Sequence, residues 1–213
     1  MTTNIYLIRH GQSVGNLNHA FLGHTDLPLT ELGHAQAERA ANYLSTLAPD
    51  AIYASDLSRA YQTAEHTAER LSLPIVKREA LREIFAGVWE AMDFDLIGEK
   101  HGEDFIVWQT DIGHSRPTGG ESVAQLHARI RGELVRIAEE NPGRRVLVFL
   151  HATPIRAMGA ELMGGGLSGM KDIPWPTNAS STQLLYEDGA FSLVEYSRDD
   201  YLGDSVTAIP SNI

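Results

Sequence analysis

The stretch Ile5-Tyr6-Leu7-Ile8-Arg9-His10-Gly11-Gln12-Ser13 runs four apolar residues into a cation, an imidazole and a glycine. Four residues are too few for a helix and fit a strand buried on both faces of a sheet. In open α/β sheets ligands sit at the carboxyl ends of strands, so chemistry is expected at the Arg9-His10-Gly11 junction. Arg145-Val146-Leu147-Val148-Phe149-Leu150 repeats the pattern as the clearest central strand of the chain, and it too ends on a histidine, His151. Parallel neighbours with equivalent ends would set His10 beside His151.

Working outward, Thr30 reads as a helix N-cap with Glu31 in the first turn. Leu32, Ala35, Ala40, Tyr43, Leu44 and Leu47 follow at helical spacing until Pro49-Asp50. Ala51 to Ala54 is a second buried strand. Ser55 or Asp56 is then expected to cap a helix to about Leu71, and Pro74-Ile75-Val76 starts a short extended segment. Val123, Leu126, Ile130, Leu134 and Ile137 form a helical stripe within Glu121 to Glu140, ended by Asn141-Pro142-Gly143. Pro154 suits the first turn of a helix through about Met163. Glu187-Asp188-Gly189-Ala190 is the expected turn of a hairpin at the sheet edge, and the tail beyond Arg198 is expected to be peripheral.

Strand, helix, strand, helix, strand in this order predicts an α/β fold. The expected architecture is a three-layer α/β/α sandwich around a mostly parallel sheet with an antiparallel edge hairpin. From about residue 81 to 120 the rhythm fails, and Phe85, Trp89, Phe94, Phe105 and Trp108 occur with weak periodicity. This segment reads as a mainly helical, lid-like insertion over the carboxyl edge of the sheet, with a small aromatic core of its own. Residues 1–213 are expected to form a single domain around it.

At 213 residues, 43% hydrophobic and 21% charged, the composition is that of an ordinary globular protein. A formal net charge of -11 works against nucleic acid and anionic membrane as partners. The chain contains no cysteine, which excludes disulfides and thiolate metal sites. No signal-peptide pattern opens it and no apolar run reaches membrane-spanning length, so a cytoplasmic enzyme is expected.

Arg9 lies beside His10, and Arg59 follows the end of the Ala51–Ala54 strand. Two guanidiniums and two imidazoles at one sheet edge make a pocket for a doubly charged oxyanion, because the planar fork of arginine binds phosphate oxygens in pairs. Phosphoryl transfer suits such a pocket, since positioned cations carry most of its catalysis. A neutral imidazole there could attack phosphorus, and Glu83 is the nearby carboxylate best placed in sequence to protonate a leaving alkoxide. The remaining histidines lack metal-ligand spacing, and of these His101 and His114 lie in the insertion, within reach of a substrate.

The chain resembles the histidine phosphatase superfamily, in its phosphoglycerate-mutase-like branch. The resemblance rests on Leu7-Ile8-Arg9-His10-Gly11-Gln12-Ser13 with Asn16, and on Pro28-Leu29-Thr30-Glu31 with Gly33 and Gln36-Ala37. It continues through Ser55-Asp56-Leu57-Ser58-Arg59-Ala60-Tyr61-Gln62-Thr63-Ala64, Leu81-Arg82-Glu83 and Gly87-Val88-Trp89-Glu90. Gly120-Glu121-Ser122 and the His151 region with Ile155-Arg156-Ala157 complete the ordered set.

The resemblance implies that His10 is a nucleophile forming a phosphohistidine, and that Arg9, Arg59 and His151 hold the phosphoryl group. It makes Glu83 the general acid and then the base, with Asn16 and Ser13 adding hydrogen bonds and Gly23 near the substrate. No metal and no cofactor is implied. The chain departs from the family at Ala54, at Ala91, where a glycine usually follows Trp-Glu, and at Ala152-Thr153, where relatives often carry Gly-Gly; the Thr153 hydroxyl is placed to face the pocket. The expected activity is hydrolysis of a small phosphorylated metabolite. The alternatives are a phosphoglycerate-mutase-type phosphotransferase and a non-catalytic phospho-ligand-binding module.

Overall fold

The computed structural model describes residues 1–207. In chain order it contains β1 (Thr3–Arg9), α1 (Val14–Leu17), β2 (Ala20–Phe21), α2 (Glu31–Thr46), β3 (Ala51–Ala54), α3 (Ser58–Leu71) and β4 (Ile75–Lys77). There follow β5 (Met92–Asp93), α4 (Phe94–Lys100), α5 (Gly102–Thr110), α6 (Val123–Glu140), β6 (Arg145–Leu150), α7 (Ala152–Leu162), β7 (Ser181–Glu187) and β8 (Ala190–Arg198). The main sheet has the order β4-β3-β6-β1-β7-β8. Its first four strands are parallel, and β7 and β8 add an antiparallel hairpin at the edge, turning at Asp188-Gly189 with both residues at positive φ.

The central strands alternate between two apolar layers, which is why their sequences are apolar throughout. Ile5 and Leu7 of β1 and Val146 and Val148 of β6 pack with Leu126, Ile130 and Leu134 of α6 and Ile155 of α7. Tyr6, Ile8, Leu147 and Phe149 face the other way, onto Ala40 and Leu44 of α2 and Ala64 and Ala68 of α3. This is the expected three-layer α/β/α sandwich. No helix among the described residues is long and apolar enough to cross a membrane.

Two expectations need correction. The cap of α3 is neither Ser55 nor Asp56: the N-cap position is Leu57, which offers no side-chain acceptor. Asp26, from the loop before α2, reaches across instead and accepts from the Ser58 backbone N–H at 2.7 Å and its hydroxyl at 2.8 Å. Ser55 and Asp56 are thereby released for contacts at the site. The segment after Arg198 is also not peripheral within the described residues. Leu202 is fully buried against the α2/α3 layer, the Tyr201 hydroxyl donates to the Ala179 carbonyl, and Gln36 Nε2 donates to the Ser205 carbonyl.

The segment between β4 and α6 is mainly short helices and turns, as its sequence suggests, with the two-residue strand β5 among them. Trp89 is completely buried, with Phe105 and Trp108 edge-on to it, and Phe21 of β2 packs edge-on to Trp89 and Trp108. The small β2–β5 pair ties this segment to the loop after β1. At its edge Ala91 has φ +58° while its N–H donates to the Phe21 carbonyl at 2.7 Å. An L-residue with a Cβ is strained in this left-handed region, and the side chain is exposed, so it contributes little packing. Replacing Ala91 by glycine is expected to stabilise the fold by roughly 0.5–1 kcal/mol, a rise of about 2 °C in Tm. A calorimetric melt of Ala91→Gly that shows an unchanged or lower Tm would contradict the strain reading.

Candidate active site

β1 and β6 pair in parallel register with Arg9 opposite Leu150, so the next residue of each strand, His10 and His151, emerges at the same level. Their ring centroids lie 5.2 Å apart. Arg59 arrives from the first turn of α3, after the carboxyl end of β3, and Glu83 from the loop after β4. All four parallel strands therefore deliver a residue to one edge of the sheet. Arg9, His10, Asn16, Gly23, Arg59, Glu83 and Thr153 line a single cavity of about 260 Å³.

His10 is nearly buried, and its Nδ1 lies 2.7 Å from the Gly11 carbonyl oxygen. A carbonyl only accepts, so Nδ1 carries the proton and the lone pair sits on Nε2. Burial, reinforced by the positive fields of Arg59 and Arg9, holds the His10 pKa well below the usual imidazole value. The ring is neutral and nucleophilic. His151 is fully buried, with Nε2 2.9 Å from Ser55 Oγ. Ser55 Oγ also accepts from the Leu57 N–H, and the other ring nitrogen of His151, Nδ1, has no protein partner. Burial and the Arg59 charge depress the His151 pKa as well.

The two arginines are buried and donate to backbone carbonyls, not to carboxylates. Arg9 Nη1 donates to Pro176 O at 2.5 Å; Arg59 Nη1 and Nη2 donate to Thr25 O at 2.9 Å and Gly23 O at 2.8 Å. The Nε of each has no protein partner. Desolvation lowers both to about 10, which leaves them cationic at neutral pH. Glu83, whose field reaches both, is itself buried, and that burial raises its pKa above the usual carboxylate value. The floor therefore holds two cations, a neutral imidazole and a carboxyl group whose pKa is shifted toward its acid form. This is the arrangement needed to receive an anion and to protonate what leaves it.

Other residues anticipated from sequence fall unevenly. The Asn16 amide oxygen accepts from Ser13 and from Asn178, which leaves its N–H for the cavity. Neither Ser13 nor His151 is among the lining residues: the His151 ring is buried 5.2 Å from that of His10, and Ser13 is fully buried with its hydroxyl closing a capping box with Asn16 at the start of α1. Gly23 has φ +51°, and a Cβ there would meet Glu90 Oε1 at 2.2 Å. Thr153 lies in the first turn of α7, where its N–H and hydroxyl face the Glu83 carboxylate, the N–H at 3.2 Å. His101 and His114 do not line the cavity, whereas His19 does. Asp56 takes Arg82 in a two-point ion pair at 2.8 and 2.5 Å, which anchors the residue before Glu83.

Three supports were not legible beforehand. Glu90 accepts from the N–H groups of His24, Thr25 and Ala86 and from the Thr25 hydroxyl, and so fixes the loop whose carbonyls hold Arg59. Arg129 of α6 donates to the carbonyls of Ala80, Arg82 and Glu83 and pairs with the Glu121 carboxylate at 2.7 Å, so it holds the backbone that carries Glu83. Asn178 donates to the His10 carbonyl, and its oxygen accepts from Thr207. The signal for the Asn178 segment was Pro174-Trp175-Pro176, a tryptophan held extended between two prolines.

Comparison with known proteins agrees with this geometry. The family model described as histidine phosphatase superfamily (branch 1) matches residues 5–199. Phosphoserine phosphatase 1 of Hydrogenobacter thermophilus is 35% identical over 77% of this chain and 78% of its own length. A glucosyl-3-phosphoglycerate phosphatase of Mycobacterium tuberculosis is 34% identical over 84% of each chain. The solved structure of Bacillus stearothermophilus YhfR superposes with a TM-score of 0.90 at 28% identity, covering 94% of this chain and 99% of that one. The two strand-end histidines, the two arginines held by carbonyls and these matches all point one way: the chain belongs to the histidine phosphatase superfamily, branch 1, whose members similar to it include phosphatases and, at 35% identity, a phosphoglycerate mutase of Gloeobacter violaceus.

Proposed function

We propose that the protein hydrolyses small phosphate monoesters through a phosphohistidine on His10. The observation that carries this reading is the pair of buried guanidiniums, Arg9 and Arg59, held by carbonyls on either side of a neutral imidazole. Two buried cations whose hydrogen bonds end on neutral carbonyls are costly, and a phosphoryl dianion supplies negative charge in the form both forks accept. His10 Nε2 attacks phosphorus while Nδ1–H stays on the Gly11 carbonyl. The P–O ester bond breaks, and Glu83 gives its proton to the departing alkoxide. Arg9, Arg59 and His151 hold the equatorial oxygens, with the Asn16 amide beside them. Glu83, now a carboxylate, takes a proton from water, whose oxygen attacks phosphorus and releases His10 and inorganic phosphate.

In this reading His10→Ala lowers turnover of a generic aryl phosphate by roughly three orders of magnitude or more and abolishes acid-labile protein phosphate, with the fold intact by circular dichroism. Wild-type turnover in that variant would remove His10 as nucleophile. Activity is expected to survive EDTA, and a protein that EDTA inactivates and a divalent ion restores would overturn the mechanism.

Glu83 must be protonated to act as acid, and its raised pKa extends that form upward in pH. The kcat/KM profile for an alkyl phosphate should therefore fall on the alkaline side as Glu83 loses its proton. Glu83→Gln should erase that limb and slow alkyl phosphates by roughly 10²–10⁴-fold, while slowing phosphorylation by an activated aryl phosphate far less. An alkaline limb that persists in Glu83→Gln would assign it to another group. Arg129→Met, which frees the backbone of Glu83, should reproduce the same leaving-group dependence on a smaller scale, about tenfold for alkyl phosphates. Equal losses for alkyl and activated aryl phosphates would mean that Arg129 acts on stability alone.

A further inference from the structure

The reading above leaves open what alcohol the phosphoryl group arrives on, and the rest of the cavity bears on it. Beyond Arg9, Asn16, Arg59 and Glu83 the lining turns apolar and aromatic: Leu17, Phe21, Leu22, Phe94, Trp108 and Trp175. These are not scattered contacts. Phe21 packs against Trp108 with centroids 5.0 Å apart and against Phe94 at 5.8 Å, and Trp108 lies nearly parallel to Trp175 at 6.2 Å. Phe21 and Trp108 are buried in the insertion's core, while Phe94 and Trp175 keep part of their surface open. Trp175 is further fixed by Arg156, whose guanidinium sits 4.2 Å from the ring centroid and is itself held by the carbonyls of Ile173 and Lys171. A tryptophan between two prolines and over a pinned arginine is a rigid surface, and its open part lines the cavity.

Charge points the same way. Among the described residues, the lining contains no lysine and no arginine besides the two on the floor, and its other basic group away from the catalytic histidine is the exposed His19. Residues 208–213 are Ala, Ile, Pro, Ser, Asn and Ile, so they bring no cation either. A leaving group bearing a carboxylate would need a partner that this wall lacks, in a chain of net charge -11. The volume of about 260 Å³ suits one small ring system plus the phosphoryl group, below the range for drug-sized ligands.

We infer that the cavity selects phosphate monoesters whose alcohol carries a flat apolar ring and no carboxylate, the ring lying against Trp175 and Phe94. This rests on the phosphatase reading of the same site and sets the chain's substrate class apart from phosphoserine and the phosphoglycerates.

The test compares kcat/KM for benzyl phosphate, O-phosphoserine and 3-phosphoglycerate. Benzyl phosphate and phosphoserine both release an aliphatic alkoxide, so their ratio reads the wall and not the chemistry of departure. Benzyl phosphate is expected to exceed both carboxylated esters by about tenfold or more, and Trp175→Ala to reduce that ratio by about tenfold. Because the ratio is taken within one preparation, partial unfolding of the variant does not alter it. Leu17→Arg, at an exposed lining position, should move the ratio toward the carboxylated esters by supplying the missing cation. A carboxylated ester that matches or beats benzyl phosphate overturns the inference, and so does a ratio unmoved by both substitutions. Equilibrium binding of benzylphosphonate against phosphonoacetate separates this from the mechanism, since neither is turned over. Preference for benzylphosphonate without hydrolysis of any ester would sink the phosphatase reading and keep the ring site. Preference for phosphonoacetate would sink the ring site alone.

Discussion

The parallel pairing of β1 with β6, in the register that sets Arg9 opposite Leu150, is the constraint on which the site depends. A strand's side chains alternate faces, so a slip of one residue would send His10 and His151 to opposite sides of the sheet and turn every buried side chain of β1 outward. The register is held because both faces of both strands are apolar and both are covered. Ile5 and Leu7 are committed to the α6/α7 layer, Tyr6 and Ile8 to the α2/α3 layer. Burial of the core thus fixes the relative height of two imidazoles at the strand ends. The catalytic precision expected of His10 is a by-product of packing that extends over the whole sandwich.

That precision is bought with electrostatic cost. Arg9, Arg59, His10, His151 and Glu83 are all withdrawn from water, and burial is the first cause of the shift in every one of them. The direction is the same in each case, toward the less charged form: imidazoles neutral, carboxyl protonated, guanidiniums less firmly cationic. The guanidiniums begin so far from neutrality that, lowered to about 10, they keep their charge. What remains is a pair of cations around an uncharged imidazole, and this follows from a single physical cause acting on groups of different intrinsic pKa. An anion entering this floor meets two guanidiniums whose hydrogen bonds go to carbonyls and not to carboxylates.

How much of this could be read from the chain alone depends on how local the signal is. Buried strands announce themselves, so Ile5–Ile8 and Arg145–Leu150 led directly to His10 and His151. Arg59 and Glu83 followed from ordered motifs. Ser13 was misjudged because its hydroxyl has a nearer claimant: Asn16 at the third helical position completes a capping box, a local contact that outcompetes a ligand. Asp56 was misread as a cap because Arg82, its partner, lies 26 residues further on. Glu90, Arg129 and Asn178 act on backbone N–H and C=O groups, which every residue possesses, so no residue pattern marks their partners. The same holds for the segment after Arg198, where Leu202 is one apolar residue in a polar stretch and its burial depends on the groove that α2 leaves open.

The site divides into parts with different freedom to change. The phosphoryl floor is assembled from strand ends and the first turns of α3 and α7, so each of its side chains inherits its position from the sheet. The wall comes from α1, β2, α4, α5 and the Pro174–Pro176 segment, elements joined to the sheet through a small aromatic cluster and the two-stranded β2–β5 ribbon. Substitutions in the wall leave the register of β1 and β6 untouched, whereas substitutions in the floor cannot avoid it. Relatives of this chain are named for different phosphomonoesters. On physical grounds the place for them to differ is the wall, where Trp175 stands on its arginine. Chemistry is held by the part of the fold that cannot shift, and selectivity by the part that can.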